Sequence, residues 1–254
     1  MATEGVKGKK VIKLGDMMAN LPKLDEFQMK ILVAVLVGLL TLYILFRLFR
    51  SGSKRRGVLL MGLCESGKTQ LFSRICYGAD VTTVTSMKPS NAEFKVGKKS
   101  LTIYDVPGHE RIRYAAFEKI KNVTGGIVFL VDSATIQKDV RDAAEFLYSV
   151  LCDETIQNGQ PRILVVCNKQ DLPLARSAQL ICKMMEKEMN LLRETRSSQL
   201  QSTSGTGNNN SFLGHPGQDF EFGHLGGIKV DFVEAVTKEG EKIDPVTSWI
   251  ERLA

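Results

Sequence analysis

The chain has 254 residues, 43% of them hydrophobic, and a formal net charge of +6, which leaves room for one globular domain behind an N-terminal segment. The charge is uneven: residues 1–56 hold eleven Lys and Arg against four Asp and Glu, whereas residues 57–254 hold 23 against 24. Because the globular part carries no positive excess of its own, we expect no direct nucleic-acid binding. The cysteines number five and form no C-x-x-C pair, a pattern typical of reduced thiols in a cytosolic domain.

An apolar stretch over residues 31–46 follows an N-terminal tail, residues 1–28. As a helix this stretch spans about 24 Å, less than a hydrocarbon core of about 30 Å. Lys30 and Arg47 flank it and can extend their charges towards water, so we predict one N-terminal transmembrane helix over residues 29–49. The alternatives are a cleaved signal peptide, which would begin nearer the N-terminus, and a buried core helix, which would carry a polar stripe.

A basic linker over residues 50–56 follows the predicted helix, and Lys and Arg crowd this side of it. Positive charge beside a membrane helix favours the cytosolic side. We therefore predict a single-pass protein whose residues 57–254 lie in the cytosol. The short span also suits the membrane of the endoplasmic reticulum, which is thinner than the plasma membrane.

The rest of the chain alternates between predicted strands and predicted helices. Apolar runs predict buried strands, and apolar residues at helical spacing predict the helices between them. This alternation predicts an α/β fold, with a mostly parallel six-stranded sheet and helices on both faces. Residues 195–227 are rich in Ser, Gly, Asn and Gln and predict a flexible insertion. In chain order the predicted elements are a strand at 55–63, a helix at 68–77, a hairpin of 93–96 with 100–105, a strand at 126–132, a helix at 139–151, a strand at 162–167, a helix at 177–192, a strand at 228–236 and a helix at 245–253.

The first motif lies between the first strand and the helix that follows it. Residues 62–69 fit the pattern G-x-x-x-x-G-K-[ST], whose backbone N–H groups wrap around a polyphosphate. Lys68 would reach the β- and γ-phosphates, and Thr69 would give its hydroxyl to Mg²⁺. The predicted phosphate-binding residues are Gly62, Leu63, Cys64, Glu65, Ser66, Gly67, Lys68 and Thr69.

The second motif, Asp105-Val-Pro-Gly108, follows an apolar strand. Asp105 would hold Mg²⁺ through water, and the Gly108 N–H would meet the γ-phosphate. A lone D-x-x-G is weak support, because turns often contain it. Its place after a phosphate loop and at the end of a strand strengthens the interpretation.

The third motif, Asn168-Lys169-Gln170-Asp171, indicates which nucleotide base the site would accept. The Asp171 carboxylate can accept two hydrogen bonds from the N1–H and N2–H₂ edge of guanine, and adenine lacks that pair of donors. Asn168 would brace the loop, and the stem of Lys169 would lie along the base. The alternative is a solvated turn after a strand, and the presence of all three motifs in order argues against it. GTP with Mg²⁺ is therefore the predicted ligand.

With these motifs in place, the chain resembles the Ras-like small GTPases and, within them, the Arf/Sar branch and the family of signal recognition particle receptor beta subunits. The resemblance covers residues 29–254 and implies a P-loop GTPase fold. Most small GTPases are lipidated, whereas these beta subunits cross the bilayer once, as predicted here. The segments that carry the narrower match are residues 105–110, 128–133, 144–148 and 167–171.

Two positions depart from the usual pattern of the superfamily, and a third has several candidates. His109 stands where most members have Gln, and the resemblance implies that it orients the attacking water as the catalytic residue. The last guanine loop, usually Ser-Ala-Lys, is Val-Thr-Lys at residues 236–238, so Thr237 is expected at the base. The threonine of the first switch, a further Mg²⁺ ligand, falls within residues 81–86. Its candidates are Thr83 in first place, with Thr82 and Thr85 as rivals.

The resemblance implies a switch and an anchor at the endoplasmic reticulum membrane. GTP would order the segments around Thr83 and His109 into a surface for the receptor's alpha subunit, in a heterodimer that serves co-translational protein targeting. Hydrolysis to GDP and phosphate would be slow or stimulated by partners, and the ribosome or the translocon would be further contacts. Two alternatives stay open: an Arf/Sar-type GTPase that cycles in vesicle traffic, which a permanent span disfavours, and a scaffold with vestigial nucleotide binding.

Overall fold

The computed structural model describes residues 26–50, 55–79, 88–202, 213–238 and 243–254. The chain falls into two compact units that divide between Ser53 and Lys54. The described part of the first unit is helix α1 (Glu26–Arg50), and the second unit contains the sheet and the helices that cover it.

Helix α1 corresponds to the apolar stretch of the sequence. Its large apolar side chains from Ile31 to Ile44 lie exposed on every side of the helix, each between 47% and 65% accessible. Of the helices within the described ranges, none has the length and apolar character needed to cross a membrane, so the transmembrane helix predicted over residues 29–49 is not found.

The second unit is built around one sheet of six strands, β1 (Gly57–Gly62), β2 (Ser90–Val96), β3 (Lys99–Asp105), β4 (Thr124–Asp132), β5 (Arg162–Asn168) and β6 (Val230–Glu234). Their order across the sheet is β2-β3-β1-β4-β5-β6. Strands β2 and β3 form the predicted antiparallel hairpin, and all other neighbours run parallel. Strands β1, β4 and β5 are almost entirely buried, which explains their continuous apolar runs. The predicted six-stranded, mostly parallel sheet is thus confirmed.

Helices cover both faces of this sheet: α2 (Lys68–Tyr77), α3 (Glu110–Ile120), α4 (Ile136–Leu151), α5 (Glu154–Gly159), α6 (Ala178–Ser202) and α7 (Asp244–Glu251). Side chains of α2 and α7 join one apolar cluster, and side chains of α3 to α6 join another. Helices α3 and α5 are missing from the sequence prediction. Each begins at a side chain that caps its first turn, since His109 accepts the N–H of Arg111 and Asp153 accepts the N–H of Thr155.

The two apolar clusters lie on opposite faces of the sheet, and successive residues of β1 alternate between them. Leu59 and Met61 belong to one cluster, and Val58 and Leu60 belong to the other. All four side chains are buried, and each contributes roughly 1.5–3 kcal/mol by leaving water. This double burial fixes the sheet, and the sheet fixes the loops at its carboxyl edge relative to one another.

The globular unit begins earlier than the predicted boundary after the basic linker. The carbonyl of Arg56 accepts the N–H of Thr102 at 3.0 Å, and Arg55 Nη1 donates to the carbonyl of Thr155 at 3.1 Å. Gly159 leaves the space that this guanidinium needs, because a Cβ there would lie 1.6 Å from Arg55 Nη1. Arg55 and Arg56 are therefore part of the domain and not of a linker.

The segment 195–227 differs from the flexible insertion predicted for it. Helix α6 continues to Ser202, and Leu213 and Phe220 are buried in the core beside it. Arg193 of α6 is 4% exposed and donates to the carbonyl of Leu213 at 3.3 Å. The polar composition of the segment does not predict these contacts, because only a few scattered apolar side chains and one buried arginine hold the segment in place. Residues 203–212 lie outside the described residues.

Candidate nucleotide-binding site

The phosphate loop connects the end of β1 to the start of α2, and its two glycines are sterically required. Gly62 has φ +137°, and a Cβ there would lie 2.2 Å from the carbonyl oxygen of Leu130. Gly67 has φ +93°, and a Cβ there would lie 2.3 Å from Asn168 Nδ2. A side chain at either position would push the loop away from the rest of the site. Glycine at the two fixed positions of the motif therefore follows from close packing.

Lys68 lies inside this loop and is only 6% exposed. Its Nζ donates to the carbonyl of Leu63 at 2.5 Å and lies 3.4 Å from Ser66 Oγ. Burial lowers the pKa of Lys68 from 10.5 to about 8, and the nearby Asp105 carboxylate opposes that shift. A buried ammonium with this lowered pKa favours an anionic ligand, because a phosphate oxygen would stabilise its charge.

Thr69 and Asp105 bring two oxygen atoms together beside Lys68. Thr69 Oγ1 donates to Asp105 Oδ2 at 2.7 Å, and Asp105 is 1% exposed. The contact arises because Asp105 ends β3, where it lies opposite Leu60 of β1. A hydroxyl and a carboxylate are the kind of oxygen ligands that Mg²⁺ takes together with phosphate oxygens. Thr83, the predicted third ligand, and its rivals lie outside the described residues.

The second motif packs directly on the phosphate loop. A Cβ on Gly108 would lie 2.7 Å from Cys64 N and 2.7 Å from Lys68 Nζ, so only glycine lets the two segments approach so closely. His109 follows, but its side chain is exposed, and its Nδ1 accepts the N–H of Arg111 at 3.3 Å. The structure thus brings Gly108 to the loop and leaves the imidazole of His109 at the start of α3.

The third motif is joined to the phosphate loop through one amide. Asn168 is fully buried, and its Nδ2 donates to the carbonyl of Ser66 at 2.8 Å and to Thr237 Oγ1 at 2.9 Å. Its Oδ1 accepts the N–H of Thr237 at 3.0 Å. Asp171, three residues later, is exposed at the rim. Three of the predicted segments therefore meet at Asn168: the phosphate loop, the third motif and the last guanine loop.

Asp132 belongs to the site although no motif includes it. Its Oδ2 lies 2.6 Å from Lys169 Nζ, and its Oδ1 accepts the N–H of Ala134 at 2.9 Å. The ion pair holds the side chain of Lys169. The backbone of this residue lies in the left-handed region, with φ +64°. A usable signal exists in the sequence, because Asp132 ends a buried parallel strand, and the carboxyl ends of such strands build ligand sites.

All of these segments lie at the carboxyl edge of the sheet. Strands β1, β3, β4 and β5 each end there, and the N-terminus of α2 opens from the same edge. A buried cation, the paired oxygen atoms of Thr69 and Asp105 and a polar rim with a carboxylate are thereby grouped around one edge. This grouping suits an anionic, metal-associated ligand with a polar ring system.

Comparison with known proteins identifies the family. The family model for the signal recognition particle receptor beta subunit matches residues 53–230. The signal recognition particle receptor subunit beta of Homo sapiens is 41% identical over 245 residues, which cover 92% of this chain and 90% of that protein. The subunit beta of Mus musculus is 38% identical over 250 residues, which cover 95% of this chain and 93% of that protein.

Solved structures agree with the sequence matches. The structure of the mammalian SRP receptor superposes with a TM-score of 0.70 at 41% identity and covers 78% of this chain and 100% of that chain. The signal recognition particle receptor SRb-GTP/SRX complex from Chaetomium thermophilum gives a TM-score of 0.60 at 21% identity, over 77% of this chain and 97% of that chain, and shows the same fold. The chain therefore belongs to the family of signal recognition particle receptor beta subunits and has the α/β fold of a small GTPase.

Proposed function

We propose that this chain binds GTP with Mg²⁺ at the carboxyl edge of its sheet and holds the receptor's alpha subunit at the endoplasmic reticulum membrane. The observation that carries the proposal is the buried amide of Asn168, which bonds to Ser66 of the phosphate loop and to Thr237 of the last guanine loop. One side chain thus fixes the spacing between the two halves of the site. A ligand with a polyphosphate at one end and a purine at the other suits this spacing.

Guanine selectivity is assigned to the exposed carboxylate of Asp171. The test is displacement of a fluorescent guanine nucleotide from the full chain, purified in detergent, by GTP and by ATP. GTP should compete better by roughly a thousandfold or more, because adenine would leave the carboxylate without donors. Equal competition would refute the proposed function.

The substitution Asp171→Asn should shift the preference towards xanthosine triphosphate, whose C2 oxygen accepts a hydrogen bond where guanine donates one. Asp142→Asn, at an exposed position on α4, is the matched control and should leave the preference for GTP in place. Unchanged GTP affinity in the Asp171→Asn variant would remove Asp171 from base recognition.

Thr69 and Asp105 are the described residues that would hold Mg²⁺, and Thr83 is the candidate outside the described ranges. The ion would neutralise charge on the phosphates when bound. The two side chains fit this role, because their oxygen atoms already lie 2.7 Å apart beside the buried carboxylate of Asp105. Asp105→Ala should weaken the Mg²⁺ dependence of GTP affinity, and a dependence equal to that of the wild type would exclude Asp105 as a ligand.

His109 is proposed to orient the attacking water, and its present position explains why turnover would be slow. The imidazole is exposed and caps α3, so it must turn before it can reach the phosphates beside Gly108. Single-turnover hydrolysis by the isolated chain should therefore be slow in both the wild type and His109→Ala. Adding the alpha subunit should accelerate only the wild type. Equal acceleration of the variant would exclude His109.

Membrane attachment is proposed through α1, whose large apolar side chains are exposed on all sides. Water is a poor environment for so much apolar surface, which favours a lipid or protein cover. After extraction of membranes at alkaline pH, the chain should stay in the pellet, and release into the supernatant would refute the attachment.

The alpha subunit should co-purify with the GTP-loaded chain and less with the GDP-loaded chain. The solved relative in a GTP and SRX complex supports this expectation.

A further inference from the structure

Two side chains of α2 reach across to the last guanine loop, residues 236–238, although no sequence motif includes them. Gln70 and Arg74 are four residues apart and therefore lie on the same side of the helix. Gln70 Oε1 accepts a hydrogen bond from Thr237 Oγ1 at 3.0 Å. Arg74 Nη1 donates to the carbonyl of Lys238 at 2.6 Å and to the carbonyl of Val236 at 3.4 Å.

These contacts complete a frame around Thr237, which is 2% exposed. Its N–H donates to Asn168 Oδ1, its hydroxyl accepts from Asn168 Nδ2, and the same hydroxyl donates to Gln70. Residues 236–238 of this loop adopt no helix or strand. Contacts made by side chains from other segments therefore determine where the loop lies.

Arg74 supplies the charged part of the frame. Its guanidinium donates to the carbonyls of Val236 and Lys238, on either side of Thr237, and so orients two peptide groups of the loop at once. Hydrogen bonds from a charged donor are about twice as strong as neutral ones. The loop is thus held before any ligand arrives, and a site organised in advance binds its ligand more tightly.

We propose that Arg74, assisted by Gln70, is a positioning residue for guanine recognition, which holds the last guanine loop in place without touching the nucleotide. The inference rests on the proposed binding of guanine nucleotides. It also separates the N-terminus of α2 from one side of the same helix. The N-terminus, at Lys68 and Thr69, faces the phosphates, whereas the side of the helix at Gln70 and Arg74 supports the base.

The competing explanation is a structural role, in which Arg74 stabilises the last turn of α2 and, through the helix, the phosphate loop. The two explanations differ in which half of the ligand they affect. If Arg74 has a positioning role, its loss weakens binding of the base alone. If Arg74 has a structural role, its loss weakens binding of the phosphates as well.

The experiment compares Arg74→Ala with the wild type as full chains in detergent. Dissociation of a fluorescent GDP reports on base and phosphates together, and competition by pyrophosphate reports on the phosphate loop alone. GDP should dissociate about tenfold faster from Arg74→Ala, while pyrophosphate affinity stays unchanged. Arg141→Ala, at an exposed arginine of α4, is the matched control and should change neither quantity.

Two milder variants keep the test decisive if Arg74→Ala does not fold. Arg74→Lys keeps the charge but loses the planar fork and should fall between the wild type and alanine. Gln70→Ala should accelerate GDP dissociation by about threefold, because it removes one neutral hydrogen bond. Parallel loss of GDP and pyrophosphate affinity would overturn the inference, and so would unchanged GDP dissociation. A wild type without guanine preference would refute the proposed function itself, whereas preserved preference with unaffected variants refutes only this inference.

Discussion

Asn168→Ala is the substitution that tests whether one amide joins the two halves of the site. The side chain is fully buried and makes three hydrogen bonds, to the carbonyl of Ser66, to the hydroxyl of Thr237 and to the N–H of Thr237. Alanine removes all three. The Thr237 hydroxyl keeps its bond to Gln70, so the main losses fall on the two backbone groups.

The size of the effect follows from these losses. A buried polar group that loses its partner costs about 1–3 kcal/mol. Two such groups, with some relaxation of the loops, give a loss of about 3 kcal/mol in the free energy of unfolding. In a domain of this size that loss lowers the unfolding temperature by about 6–12 °C.

Thermal unfolding of the full chain in detergent measures this loss through the fluorescence of the single tryptophan. Trp249 is buried in α7 and reports on the domain core. Asn122→Ala, at an exposed asparagine, is the control and should unfold as the wild type does. GDP should also dissociate faster from Asn168→Ala, since the base side is released from the phosphate side. An unfolding temperature within about 2 °C of the wild type would refute the role assigned to Asn168.

Three further predictions concern other contacts. The pKa of Lys68, lowered by burial to about 8, sets a pH dependence: the charged form binds phosphate, so GDP affinity should fall as pH rises above 8, by up to about tenfold per pH unit. A constant affinity up to about pH 9.5 would contradict this sign. Asp132→Asn should release Lys169 and accelerate GDP dissociation in the same fluorescence assay, and an unchanged rate would exclude a role for this ion pair. Arg193→Met should deprive the Leu213 carbonyl of its buried donor and increase hydrogen exchange in residues 213–228, and unaltered exchange would show that Arg193 does not organise the segment.

The central strands of the fold are predictable from sequence because β1, β4 and β5 are buried on both faces and read as apolar runs. Helix α3 is not, because its buried face includes Arg113, which is only 6% exposed. The guanidinium carbon of Arg113 lies 4.7 Å from the ring centroid of Phe146. An aromatic ring thus stabilises a charge where a simple apolar pattern requires a hydrophobic side chain.

The motif residues of the site are predictable because fixed spacing encodes their loops. Their supporting residues are not, because those contacts join segments that are far apart in the chain. Arg74 and Lys238 are 164 residues apart, and Lys169 and Asp132 are 37 apart. Local spacing does not report such pairs, so Gln70 and Arg74 appear only when the topology of the sheet is known. Asp132 is marked in the sequence only by its place at the end of a buried strand, and its pairing with Lys169 is not marked there.

The way in which the chain enters its globular unit has a mechanical consequence. Arg55 and Arg56 lead straight into β1, which lies between β3 and β4 and runs parallel to both. Tension applied ahead of Arg55 therefore acts along β1, and the strand can be drawn out only by shearing hydrogen bonds on its two sides together. Strand β6, at the edge of the sheet, has one neighbour and would peel away bond by bond. The end by which the domain would be tethered is thus a central strand, which leaves the sheet only by shear.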